Sequence, residues 1–270
     1  MTEPLDRYHA YKAWVNTPIE GVPEVSVVIP AYNEEIRILP TIGAIATHMS
    51  ASGRPWELIV ADDGSTDDTV RLVGDLGFAN LRVLVAERNG GKGSAVRRGM
   101  LAARGDLVLF ADADQSTPIE QFEMLEAKTA EGFDVVVGSR KAEGAEVRHK
   151  SRLRRVLSWG LHTLVRIVFG ITVLDTQCGF KLFTRDAAQE LFTTQRVDGF
   201  SFDLEVLYLA GKRHLRVAEV PVEWIDAPGS TVSAIAVSLL FLRDLVAIKW
   251  RDLRGQYATP RRHPDKEEGR

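Results

Sequence analysis

The sequence has almost no cysteine. Cys178 stands alone in 270 residues, which excludes a disulfide framework and a cysteine-rich zinc site. A reducing compartment such as the cytosol is the natural setting. The six histidines are scattered, with no HExxH or comparable spacing, so a metal here would have to be held by oxygen ligands. A long apolar run is missing as well. The best stretch, 231–242, is followed at once by Arg243 and Asp244. As a helix it would reach only ~18 Å, short of a hydrocarbon core of about 30 Å. Glu3, Asp6 and Arg7 near the N-terminus leave no room for a signal peptide. An excess of one charge is also absent: 34 Lys and Arg face 37 Asp and Glu, a net charge of −3. No global basic field draws the molecule to nucleic acid. Any attraction to an anionic surface must be local.

What is present is an alternation. Apolar runs at 25–30 (VSVVIP), 56–62 (WELIVAD), 81–86 (LRVLVA), 107–111 (LVLFA) and 133–139 (FDVVVGS) read as buried strands. Helical stretches separate them, through 42–49, from about Asp67, through 95–103 and through 119–130. Such a pattern predicts an α/β fold: a mostly parallel, doubly wound sheet with helices on both faces. Ligands of such sheets bind outside the carboxyl ends of the strands. Here those ends carry Tyr32-Asn33-Glu34, Asp62-Asp63-Gly64-Ser65, Asn89-Gly90-Gly91-Lys92, Asp112-Ala113-Asp114 and Ser139-Arg140. After Arg140 the alternation stops. A basic stretch, an apolar stretch at 156–174, a mixed segment and an amphipathic helix across 231–250 follow, and the tail beyond Thr259 has the composition of disorder.

Asp112 and Asp114 are two carboxylates at i and i+2 just past a buried strand. They suit one hard divalent cation, Mg²⁺ or Mn²⁺, whose other ligands come from substrate phosphate oxygens. The plain alternative is an acidic turn capping the next helix. Asp62 and Asp63 can accept from a uracil N–H or ribose hydroxyls, or close an Asx turn. The segment Pro30-Ala31-Tyr32-Asn33-Glu34 can wrap a base, with the Tyr32 ring as one wall. Asn89-Gly90-Gly91-Lys92-Gly93 puts flexible backbone and a cation at a helix start, which suits an anion, although the Walker A spacing is missing. Asp175 and Asp203 are further acids able to approach a sugar, orient an arginine or cap a helix. Cys178 reads as a buried packing residue.

Arg148, Lys150, Arg152, Arg154 and Arg155 form a basic run. Near an anionic membrane it would contribute at most ~5 kcal/mol, about 1 kcal/mol per cation. Val156, Leu157, Trp159, Leu161, Leu164, Val165, Val168 and Phe169 follow at helical spacing. A basic edge beside an apolar face is the pattern of an interfacial helix, and burial in the core is its rival.

Together, VSVVIPAYNEE, VADDGSTDDT, NGGKGSAVRRGM, FADADQSTP and VGSR, in that order over about 24–140, resemble the family-two inverting glycosyltransferases. DTQCGFKLFTRDAAQELF and FSFDLEVLYLA extend the likeness to about Trp224. They narrow it to the dolichyl-phosphate β-glucosyltransferases and their polyprenyl-phosphate relatives. The resemblance implies a GT-A nucleotide-diphospho-sugar transferase fold over 23–228. Residues 1–22 would be an extension, 148–174 an acceptor- or membrane-facing segment, 229–257 a C-terminal amphipathic helix and 258–270 a disordered tail.

The resemblance implies roles as well. Pro30, Tyr32, Asn33, Glu34, Asp62, Asp63, Lys92 and Asp112 would hold the nucleotide sugar. Asp112 and Asp114 would bind Mg²⁺ or Mn²⁺ with the diphosphate. Arg140, with Arg152, Arg154 or Arg155, would receive the acceptor phosphate, and Asp203 joins the catalytic set. The implied reaction moves glucose from UDP-glucose to a polyprenyl phosphate with inversion. Many eukaryotic glucosyl members begin with a membrane anchor; here the basic run and the missing long apolar span lead instead to an expectation of peripheral binding at the cytoplasmic face of a membrane. Related mannosyl enzymes carry Gln two places after the second acid of this motif. Ser116 stands there instead, which leans away from GDP-mannose. The alternatives are a GDP-mannose-dependent enzyme, a family-two transferase with a hydroxyl acceptor, and a non-catalytic nucleotide-sugar binding protein.

Overall fold

The computed structural model describes residues 4–144, 168–225 and 234–258. Arg152, Arg154 and Arg155, the rest of the basic run, and the apolar positions 156–167 lie outside the described residues. The chain divides into two compact units, Met1–Val232 and Ser233–Arg270.

Seven strands form the sheet of the first unit, in the order β3-β2-β1-β4-β6-β5-β7. These are β1 (Val25–Ala31), β2 (Trp56–Asp62), β3 (Leu81–Val85), β4 (Leu107–Ala111), β5 (Val135–Ser139), β6 (Phe180–Thr184) and β7 (Val217–Pro221). The five expected strands are all present within two residues of their expected bounds. β1, β2 and β5 are buried along their whole length, as near-continuous Val/Ile/Leu runs require when helices cover both faces. Helices α1 (Pro4–Asn16), α2 (Ile38–Ser50), α3 (Thr69–Gly74), α4 (Lys92–Ala102), α5 (Phe122–Ala130), α6 (Arg185–Thr194) and α7 (Phe202–Lys212) belong to this unit.

β6 was not expected as a strand. It runs antiparallel between β4 and β5, pairing Ala111 with Phe180 on one side and Val135 with Phe183 on the other. Because it is antiparallel, its beginning lies at the edge where β4 ends. The carboxyl ends of β1, β2, β4 and β5 and the start of β6 therefore share one rim. β1 also pairs β2 on one side and β4 on the other, which makes the gap beyond β1 and β4 the topological switch point where ligands bind.

The N-terminal residues are more than an extension. Trp14 of α1 is buried and stacks on Trp56 with ring centroids 4.2 Å apart and planes at 3°, and its indole N–H donates to the Trp56 carbonyl at 2.8 Å. Such a ring pair adds about 1 kcal/mol beyond its burial. Asn80 then ties the end of α1 down by donating to the Trp14 and Thr17 carbonyls at 2.6 and 2.8 Å.

The second unit contains α8 (Ala234–Leu253). It is longer than the apolar stretch within it because Arg243, Asp244, Lys249 and Arg251 continue the helix. Among the described residues, no helix is long and apolar enough to cross a membrane.

Candidate active site

Asp112 and Asp114 follow β4 at the rim. With Ser116, Thr117, Arg140, Gln177, Gly179 and Trp224 they line a cleft of about 120 Å³. Of these, the sequence singled out Asp112, Asp114 and Arg140 as candidate site residues. It did not single out Gln177, Gly179 or Trp224 as site residues. The first two lie in the turn that feeds β6, and the role of that turn depends on a strand pairing across more than 60 positions.

Gly179 explains how Asp112 fits. A Cβ at Gly179 would stand 1.9 Å from Asp112 Oδ2, so only glycine leaves the carboxylate its place. The Asp112 amide donates to the Gly179 carbonyl at 3.0 Å, fixing the two segments together. Asp112 Oδ1 is sealed from solvent without a well-aligned hydrogen bond, and the Lys92 ammonium stands 2.6 Å from it. Asp114 Oδ1 accepts from the Ser116 amide at 2.9 Å, which fixes the turn.

This donor set fits Mg²⁺ or Mn²⁺. Among the described residues, no cluster of three or more His, Cys, Asp or Glu side chains is arranged around a cation position. Two carboxylates therefore leave most of the coordination sphere to phosphate and water oxygens, the habit of nucleotide-bound Mg²⁺. Gln115 beside them adopts φ 53°, and its side-chain amide donates to Thr41 Oγ1 at 3.3 Å.

Arg140 forms the opposite wall. Its Nε and Nη2 donate to the two oxygens of Asp175 at 2.6 and 2.9 Å, and its guanidinium lies 5.5 Å from the Trp224 ring centroid. Asp175 is buried. Burial alone would raise its pKa, but the hydrogen bonds and charge of Arg140 hold it well below the usual carboxylate range. Glu219 on β7 completes the support by accepting from the Leu174 amide at 2.9 Å and the Asp175 amide at 2.9 Å. Asp175 is therefore an orienting residue for Arg140. Its depressed pKa contributes stability that is present above its unfolded value of 3.8 and lost as pH falls below it. Asp175→Asn should cost about 3 kcal/mol at pH 7, as expected for a half-removed buried pair. Urea unfolding should show the gap to the wild type closing below about pH 4.

The acids at the end of β2 are committed inside the protein. Asp62 Oδ2 accepts from the Gly64 and Ser65 amides at 2.9 and 3.0 Å, and Oδ1 accepts from the Ser65 hydroxyl. Asp63 accepts from the Gly90 and Gly91 amides at 3.0 and 2.7 Å. Both acids are buried. Both acids shape the rim loops, and for Asp62 the Asx turn is present.

Asp63 also holds the loop at 89–93. The anion at its amides is Asp63, and its glycines admit neighbouring backbone. A Cβ at Gly91 would lie 2.5 Å from the Asp198 carbonyl oxygen, and one at Gly93 would lie 2.5 Å from that of Val197. Lys92 turns to Asp112.

Pro30 is buried within β1, whereas Tyr32 is 44% exposed at the rim. Asn33, at φ 54°, accepts from the Thr66 amide at 2.9 Å. Glu34 pairs with Arg37 at 2.6 Å. Burial raises the Glu34 pKa, the Arg37 charge and hydrogen bond oppose this, and the charges of Asp114 and Asp112 add to the rise. The same electrostatic field thus reaches Glu34 and both acids of the cleft.

Asp203 does not reach the cleft lining. It is buried on α7, with one oxygen 2.5 Å from Lys181 Nζ, and Lys181 is buried too. Burial raises the Asp203 pKa, while the charges of Lys181 and Lys92 lower it. Its surroundings suit a fixed counter-charge. Cys178 is buried, as expected, and burial pushes its thiol up to about 11.

Residues 26–192 match the model of glycosyl transferase family 2. The chain belongs to that family, among its dolichyl-phosphate β-glucosyltransferases. It is 43% identical to a dolichyl-phosphate β-glucosyltransferase of Trichomonas vaginalis over 82% of this chain and 69% of the relative. Identity to the Dictyostelium discoideum enzyme of that name is 36%, over 88% and 77%, and to the human one 34%, over 87% and 77%. The fold is GT-A. Glucosyl-3-phosphoglycerate synthase from Mycobacterium tuberculosis, solved with Mn²⁺, UDP and phosphoglyceric acid, superposes with a TM-score of 0.63 over 94% of this chain and 83% of that one, at 24% identity. This family-2 chain is a glycosyltransferase.

Proposed function

We propose that this glycosyltransferase moves glucose from UDP-glucose to a polyprenyl phosphate of the dolichyl type, with inversion at the anomeric carbon. The observation that carries the reading is one cleft bounded by the Asp112–Asp114 carboxylates and by Arg140. The carboxylates suit the diphosphate side of the donor through Mg²⁺ or Mn²⁺, and Arg140 suits an acceptor phosphate. The names of the relatives support the acceptor and the sugar.

The acceptor phosphate oxygen attacks the anomeric carbon as the bond to UDP breaks, and UDP leaves with the electron pair. A phosphomonoester has a second pKa of about 6, so the nucleophile is already mostly a dianion at neutral pH and needs no general base. A hydroxyl acceptor would need a general base, with Asp175 or Asp203 as the candidates. Asp175 is held by Arg140 and Asp203 by Lys181, so neither is placed to take a proton from a sugar hydroxyl. When bound, the divalent cation supplies charge neutralisation for the diphosphate. The chain's own work is alignment and charge complementarity: Asp112 and Asp114 fix one end, and Arg140, pinned by Asp175 and flanked by Trp224, fixes the other. Tyr32 and the 31–34 segment are assigned to the nucleotide base. Arg152, Arg154 and Arg155 are assigned to the acceptor phosphate and an anionic cytoplasmic membrane face.

A donor panel tests the proposal. UDP-glucose, UDP-galactose, UDP-GlcNAc and GDP-mannose are each supplied with a polyprenyl phosphate, with and without EDTA. Lipid-linked sugar should form chiefly from UDP-glucose, stop with EDTA and return with Mg²⁺ or Mn²⁺. Absence of lipid-linked product from every donor would overturn it.

A further inference from the structure

Lys92 is more tightly placed than a nucleotide-binding lysine requires. It is the first residue of α4, and its backbone neighbours are anchored on both sides. The Gly90 and Gly91 amides bind Asp63, while the Ser94 amide binds the Gly91 and Asp198 carbonyls. From this base its ammonium reaches to 2.6 Å from Asp112 Oδ1 and lies 5.6 Å from the Phe110 ring centroid. The ring limits solvation on one side. Burial lowers the Lys92 pKa, but the charges of Asp112, Asp203 and Asp114 outweigh it, so the amine stays charged.

A fixed cation already sits against the carboxylate that a divalent metal needs. Two positive charges near one carboxylate repel each other strongly in a partly dehydrated cleft. A diphosphate changes this balance, since its oxygens can take over the ammonium and ligate the metal together.

We propose that Lys92 is a resident counter-ion of Asp112 that weakens metal binding to the free protein and makes metal and nucleotide diphosphate bind with positive coupling. The inference rests on the reading of Asp112 and Asp114 as metal ligands. Linkage makes the effect reciprocal: whatever factor UDP adds to metal affinity, the metal adds to UDP affinity.

The test measures Mn²⁺ binding to the full chain by electron paramagnetic resonance of the free ion, with and without UDP. The proteins are the wild type, Lys92→Met, Lys92→Gln, Lys92→Arg and Asp114→Asn, with thermal melts as a check on folding. Without UDP, Lys92→Met and Lys92→Gln should bind Mn²⁺ more tightly than the wild type, on the order of tenfold, within the usual range of coupling between sites. The gain in Mn²⁺ affinity on adding UDP should shrink by a similar factor. Lys92→Arg should stay close to the wild type. If both neutral variants bind Mn²⁺ no more tightly than the wild type while Asp114→Asn loses binding, the counter-ion proposal falls and the metal site stands. If Asp114→Asn binds Mn²⁺ as the wild type does, the metal site falls and the proposal with it.

Discussion

Asp114→Ala should reduce glucosyl transfer by about 10³-fold or more while leaving the fold in place. Loss of the metal's charge stabilisation removes several kcal/mol from the transition state, and each 1.36 kcal/mol is about tenfold in rate. The structural cost is small by comparison. The Asp114 side chain gives the fold one hydrogen bond, from the Ser116 amide, typically worth about 1 kcal/mol. Radiolabelled transfer to polyprenyl phosphate and a thermal melt, run on the same preparation, separate the two effects. Near wild-type turnover in a folded Asp114→Ala protein would remove Asp114 from the metal assignment.

The sequence made that prediction possible because the acids follow a buried strand, and strand ends can be read from hydrophobic runs. β1, β2, β4 and β5 are such runs, and their carboxyl ends do share a rim. β6 was invisible because FKLFT carries Lys181 as its second residue. A lysine in a five-residue stretch reads as surface, and only the partner Asp203, 22 positions on, makes its burial possible. The N-terminal helix was passed over for a related reason. Its seat depends on Trp14 meeting Trp56 across 42 positions, a pairing that local periodicity does not encode.

The site shows the same division. Residue types at the rim were legible, and their partners were not. Asp62 and Asp63 stand out at a strand end, and their oxygens also close loops that the sequence presents as separate motifs. Arg140 stood out by its charge, but its pairing with Asp175 and, through the backbone of that residue, its support by Glu219 were not fixed by the sequence. Each of these contacts joins segments at least 27 positions apart, apart from the short Asp62 turn. A charged residue in a sequence thus signals a functional rim before it reveals which of its neighbours it will hold.

Gly179→Ala should be nearly as damaging to transfer as loss of Asp112, although it changes only one methyl group. The position has no left-handed backbone requirement, so alanine is acceptable to the chain there. The obstacle is the Asp112 carboxylate. The new Cβ would lie 1.9 Å from Oδ2 and 2.2 Å from Cγ, far inside contact distance. The Asp112 carboxylate therefore has to swing out, because the backbone on both sides is held by the Asp112–Gly179 hydrogen bond and the Ala111–Phe180 register. Displacing a metal-ligating and charge-placing group by an ångström or more costs on the order of 10²-fold in rate, while overpacking costs about 1–3 kcal/mol of stability. Transfer rate, Mn²⁺ binding and melting temperature should be measured for Gly179→Ala, Asp112→Ala and the double variant. Because the methyl acts through the carboxylate, Gly179→Ala should subtract little further activity once Asp112 is alanine, and the cycle should show strong non-additivity. Additive losses, or a Gly179→Ala protein with wild-type Mn²⁺ affinity and turnover, would mean that the Asp112 carboxylate is not held in the cleft by the space this glycine leaves.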